Sequence, residues 1–66
     1  MQLIVNGTAR PVEDGQSLAA LVGEISDRPT GIAVAVNSSV VPRSEWPRTT
    51  LADGDRVDVV TAVQGG

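Results

Sequence analysis

The sequence predicts an α+β domain in which a mixed sheet of four to five strands packs on one helix. Three observations carry that expectation. Short β-rich runs occur near both ends and in the middle of the chain, at Gln2 to Asn6, Ile32 to Asn37 and Arg56 to Val63. Asn6-Gly7 is the strongest two-residue hairpin signal, because a type I′ turn needs positive φ at both central positions. Leu18, Leu21, Val22 and Ile25 then recur at i, i+3, i+4 and i+7, which is a single apolar helical stripe.

The elements follow in order. Gln2 to Asn6 reads as a strand with Leu3 and Val5 on one face, and Thr8 to Val12 returns beside it. Pro11 has no N–H to give to a ladder, so it marks the second strand as an edge. Glu13-Asp14-Gly15 ends that strand. Ser17 is placed as the helix N-cap, where a hydroxyl takes up an otherwise unpaired N–H of the first turn. Gly23 falls inside the helix and costs about 1 kcal/mol relative to Ala. Asp27 to Gly31, with Pro29 inside it, reads as a loop.

Ile32 to Asn37 alternates large and small apolar residues and is the clearest buried strand. Ser38-Ser39 is expected to turn the chain, and Val40-Val41 to form a short strand before Pro42. Ser44 to Pro47, around Trp46, is expected to be irregular or a single turn. Asp53-Gly54-Asp55 reads as a turn leading into the last strand, Arg56 to Val63.

A single amphipathic helix cannot bury its stripe alone and must lie across one face of the sheet. Strand, strand, helix, strand, short strand, strand in that order is the β-grasp, or ubiquitin-like, arrangement. Side chains alternate along a strand, so Leu3, Val5, Ile32, Val34, Val36, Val57 and Val59 are expected to face the helix. Ile4, Ala33, Ala35, Asp58, Val60 and Ala62 then face outward. An antiparallel sheet with one wet face is ordinarily polar there. The outward apolar residues are either the scattered kind common on protein surfaces or a partner-docking patch made of Ile4, Ala33, Ala35, Val60 and Ala62.

Composition narrows the chemistry. Sixty-six residues suit a single domain, residues 1–66, and a chain this short buries only about 60% of its unfolded surface. With no Cys and no His, the usual nucleophiles, general bases and structural zinc ligands are missing, and no catalytic or metal-binding residue is expected. Asp53 and Asp55 flank a turn glycine and read as turn residues first. No basic segment followed by an apolar run opens the chain, and no apolar stretch approaches about 18 residues, so a cytoplasmic protein without a membrane partner is expected. The five positive side chains, all Arg, are scattered, and Trp46 is the sole aromatic residue. Nucleic-acid binding needs a basic stripe with stacking platforms, and neither is present. A net charge of −3 suits docking on a basic patch of another protein.

That leaves Gly65-Gly66. Residues 62–66 are expected to form a flexible tail. Without Cβ atoms, two glycines are thin enough to thread a narrow channel in another enzyme and to present the Gly66 carboxylate inside it. The span from Ala62 to Gly66 is about 16 Å when extended, enough to cross from a docked surface into a buried site.

Ala35-Val36-Asn37, Val41-Pro42-Arg43 followed by Trp46, Leu51 with Asp53-Gly54-Asp55, and terminal Gly65-Gly66 together resemble the ubiquitin-like sulfur carrier family of thiamine biosynthesis. The resemblance runs from Gln2 to Gly66. It implies a carrier that is a protein co-substrate rather than an enzyme. In that family an adenylyltransferase resembling the ubiquitin-activating enzymes adenylates the terminal glycine carboxylate, here that of Gly66, with ATP. Sulfur from cysteine, delivered through a cysteine desulfurase, then yields a thiocarboxylate that a thiazole synthase uses to build the thiazole ring. The carrier holds no cofactor, and ATP is consumed by the adenylating partner. A sulfur carrier for molybdopterin or another sulfur-transfer pathway, a ubiquitin-like protein modifier and a plain β-grasp interaction module remain alternatives on these residues.

Overall fold

The computed structural model describes residues 1–26 and 31–61. Strand β1 (Gln2–Val5) turns back into β2 (Thr8–Pro11). Helix α1 (Leu18–Ile25) follows, then β3 (Ile32–Val36), β4 (Ser39–Val40), a 3₁₀ helix at Arg43–Arg48, and β5 (Arg56–Thr61). The five described strands form one sheet in the order β2-β1-β5-β3-β4. Strand β5 runs parallel to β1 and antiparallel to β3, so the last strand in sequence is the middle strand in space.

Local chemistry explains most of these elements. Asn6 and Gly7 take φ of 50° and 81°, the two positive values a type I′ hairpin requires. The turn sets the register Val5↔Thr8 through Gln2↔Pro11, and β2 is an edge strand, where a proline without an N–H does least harm. Ser17 caps α1, its Oγ accepting from the Ala20 N–H at 3.1 Å. The apolar stripe does what its spacing implies: Leu18, Leu21 and Val22 are buried, and Ile25 packs against the same cluster.

The core lies between the helix and one sheet face. Leu3, Val5, Val34 and Val57 are buried there, and Ile32, Val36 and Val59 pack against them, as the alternation requires. Two residues close the open end. Trp46 is only 5% exposed, and its indole N–H donates to the Val41 carbonyl at 2.9 Å. Leu51 is buried beside it in the same cluster. The Met1 ammonium ties down the other edge, donating to the Val12 carbonyl at 2.9 Å and to Asp14 Oδ1 at 2.8 Å. That hydrogen bond, reinforced by the ammonium charge, holds the exposed Asp14 carboxyl below its ordinary range.

Several boundaries differ from the sequence expectation. Strands β1 and β2 stop one residue early, at Val5 and Pro11: Asn6 belongs to the turn, and Val12 lies opposite Met1, before the start of β1, its N–H donating to the Met1 carbonyl at 2.8 Å. The second turn is centred on Asn37-Ser38, with φ of 51° and 73°, rather than on Ser38-Ser39. The short strand is correspondingly Ser39–Val40, not Val40-Val41. Asn tolerates the left-handed region and so claims the first turn position, which draws Ser38 into the second. The segment around Trp46 is a regular 3₁₀ helix of 6 residues rather than an irregular turn. Asp27 to Thr30 of the expected loop, the expected end of the last strand at Ala62-Val63 and the tail to Gly66 lie outside the described residues.

Gly23 sits mid-helix, exposed, where a built Cβ meets nothing within 4 Å. Neither backbone angle nor packing calls for glycine there. Gly23→Ala is therefore expected to raise stability by about 0.5–1 kcal/mol through the helix term. A urea melt should give a higher midpoint at unchanged slope, and a lower midpoint would contradict this account of the position.

Candidate functional site

The strand that leads toward Gly65-Gly66 is held at its first residue and near its middle by turn asparagines. The Val59 N–H donates to Asn6 Oδ1 at 2.8 Å, and the Arg56 N–H donates to Asn37 Oδ1 at 3.0 Å. Asn37 Nδ2 in turn donates to Asp55 Oδ1 at 3.1 Å. Both asparagines occupy positive-φ turn positions, so each turn serves its own hairpin and also fixes the central strand. Val36↔Val57 through Ile32↔Thr61 then pair in unbroken register. The tail residues Ala62, Gly65 and Gly66 are outside the described region; in the strand before them, Arg56 and Val57 pair with β1, and Val57 to Thr61 pair with β3.

Register also decides the outward face. Ala33 lies opposite Val60, and Ala35 lies opposite both Asp58 on β5 and Val40 on β4. Directly paired residues share a face, so Ala33, Ala35, Val40 and Val60 form one apolar group across β5, β3 and β4. Among the described residues, Val40 and Val60 are the exposed large hydrophobics, at 74% and 59%. Ile4 belongs to the same face but not to this group. It pairs with Ala9 on β2 and with Arg56 on β5, four residues before Val60. At about 3.3 Å per residue that is roughly 13 Å along the strand, with Asp58 between.

The structure thus brings together Ala33, Ala35 and Val60 of the expected docking residues and sets half-buried Ile4 apart from them. It adds Val40, which sequence reasoning left unassigned. The available signal was the Asn37-Ser38 turn: once it sets Val36 opposite Ser39, Val40 must share the outward face of Ala35. Val41, just past β4, still donates its N–H to the Val34 carbonyl at 2.9 Å and alternates inward, where it packs against the core cluster.

Asp53 and Asp55 act as turn residues. Asp53 Oδ1 accepts from the Gln2 N–H at 2.7 Å, and Asp55 Oδ2 from the Ala52 N–H at 2.8 Å. Among the described residues, no three His, Cys, Asp or Glu side chains converge, and no helix is long and apolar enough to cross a membrane.

A small five-strand mixed sheet with one helix across it, whose central strand leads into a glycine-ended segment, defines a β-grasp carrier domain. The family model described as the ThiS family matches residues 3–66. The sulfur carrier protein ThiS of Escherichia coli is 32% identical over 66 residues, covering 100% of both chains. The crystal structure of a thiamine biosynthesis protein (ThiS) from Geobacter metallireducens superposes with a TM-score of 0.88 at 28% identity, covering 100% of both chains. All 66 residues also match, at 32% identity, 20% of the length of the thiazole synthase of Paramagnetospirillum magneticum. The chain belongs to the ThiS family: it is a sulfur carrier for thiazole formation in thiamine biosynthesis, and a carrier rather than an enzyme. The molybdopterin-carrier, modifier and plain interaction-module alternatives left by the sequence give way to that assignment.

Proposed function

We propose that the sulfur travels on the Gly66 carboxylate. The observation that carries this reading is the family match, which runs through Gly65 and Gly66 in a chain with no Cys or His to hold sulfur otherwise. A terminal carboxylate, with a pKa of about 3.5, is ionised at neutral pH and is a poor electrophile. One of its oxygens attacks the α-phosphorus of ATP on a partner adenylyltransferase and pyrophosphate leaves, giving a mixed anhydride. Sulfur that originates from cysteine through a desulfurase then attacks the acyl carbon. AMP departs with the former carboxylate oxygen, and the sulfur, delivered as a persulfide, is left as an acyl disulfide. A thiol of the sulfur-delivery system cleaves its S–S bond, becoming a disulfide and leaving the thiocarboxylate. The carrier binds no cofactor of its own, and the ATP is consumed at the partner. Having no thiol, it cannot discharge this sulfur by internal exchange.

The sulfur acceptor is a thiazole synthase. The one-fifth of the Paramagnetospirillum thiazole synthase that matches this chain supports such a partnership, since a carrier and its consumer joined in one polypeptide are held at high local concentration. The outward apolar group is the docking surface, centred on Val60 and Val40 with Ala33 and Ala35 between them. Ile4 marks its far margin. Ala62, Gly65 and Gly66 belong to the segment that enters the partner's active site, and the whole exchange takes place in the cytoplasm.

Deleting Gly66 touches none of the core and is expected to leave circular dichroism and melting unchanged while abolishing ATP–pyrophosphate exchange with the adenylating partner. Full exchange activity in the truncated chain would contradict the role of Gly66. Val60→Asp places a charge in the apolar group without entering the core. It is expected to weaken binding to the adenylating enzyme or the synthase by about 2 kcal/mol or more if Val60 is a central anchor. Ile4→Asp should cost less. Titration calorimetry on both variants checks the order, and parent-like binding by Val60→Asp would reduce the patch to ordinary surface.

A further inference from the structure

We propose that the groove between α1 and the 3₁₀ helix is a second docking site, which takes a partner-protein segment presenting an aliphatic side chain beside a carboxylate. The groove has a volume of about 550 Å³ and lies on the helix side of the sheet, away from the outward face. Ala19, Val22 and Gly23 form one wall, and Arg43, Trp46 and Pro47 form the other. Val22 and Trp46 are at most 5% exposed and belong to the core, so the floor of the groove is apolar, while Ser26 and Arg43 add polar groups to its lining.

Charge at the rim selects the occupant. Among the described residues, Glu45 is paired with Arg48 at 3.3 Å and Glu24 with Arg10 at 3.5 Å, so these two carboxylates are already compensated. Among the described residues, Arg43 has neither an ion pair nor a hydrogen bond. In a chain of net charge −3, a guanidinium without a partner among the described residues, at the mouth of an apolar groove, is complementary to an incoming carboxylate. Gly23 is the second clue. Nothing within the fold occupies the space of its missing side chain, so the bare helix backbone is open to whatever lies in the groove. Enclosed pockets bury most of a small ligand's surface, whereas this groove is open along one side and suits a segment laid across it. A partner held here leaves the outward sheet face and the strand toward Gly66 free, so the carrier stays tethered while its tail changes enzymes.

The test titrates the ¹⁵N-labelled full chain with acetyl-Leu-Leu-Asp-Leu-amide, its Asn counterpart and hexanoate, followed by NMR. The Asp peptide is expected to shift Ala19, Gly23 and the Trp46 indole. Binding should fall about fivefold for the Asn peptide and for Arg43→Gln, the size of one exposed ion pair. Gly23→Leu should bind more weakly still while remaining folded by circular dichroism. Shifts confined to other surfaces, or an affinity indifferent to Arg43→Gln, would overturn the proposal. Hexanoate binding as tightly as the peptide would also overturn it, because the groove would then be a small-molecule site.

Discussion

The position of β5 is the constraint on which the rest of this molecule depends. It is the last strand in sequence and the middle one in the sheet, with its N–H and C=O groups shared between β1 and β3. Val57 is fully buried on its inner side, and Val60 is exposed on its outer side. A slip of one residue would exchange those faces, bringing Asp58 into the core and Val57 into water. Asn6 and Asn37 oppose such a slip by accepting the Val59 and Arg56 N–H groups.

A domain of 66 residues has little free energy to spare, and its fold concentrates that energy on one side. The helix, Trp46 and Leu51 close a single apolar cluster over the inner sheet face. The outer face contributes little to that cluster, which leaves Ala33, Ala35, Val40 and Val60 open to selection for contact rather than for stability. Gly23 fits the same division, since it gives up helix propensity on a surface where packing does not require it. The residues that close the core are thus distinct from the exposed apolar residues of the outer sheet face.

Much of this was legible in the sequence because the signals were local. Asn6-Gly7, the Ser17 cap and the Leu18 to Ile25 stripe each specify their element within a few residues, and strand alternation then assigned the inner face correctly. What was missed depends on long-range pairing or on residues outside their usual preferences. Ser38 at positive φ is an uncommon choice for a turn, so the turn was expected one residue late, and the outward aspect of Val40 went with it. The division of the outward face by Arg56 and Asp58, which separates Ile4 from Val60, follows only from the parallel pairing of β1 with β5. The groove beside Arg43 is set by how the 3₁₀ helix packs on α1, and no motif reports that packing.

The account stands on sulfur being carried at Gly66, and the most direct measurement is the intact and fragment mass of the carrier isolated from thiamine-starved cells. The prediction is a fraction of the chain heavier by one sulfur less one oxygen, with the increment mapping to Gly66 and lost when the adenylating partner is deleted. A carrier that stays at its unmodified mass under starvation, or whose added sulfur maps anywhere other than Gly66, would contradict it.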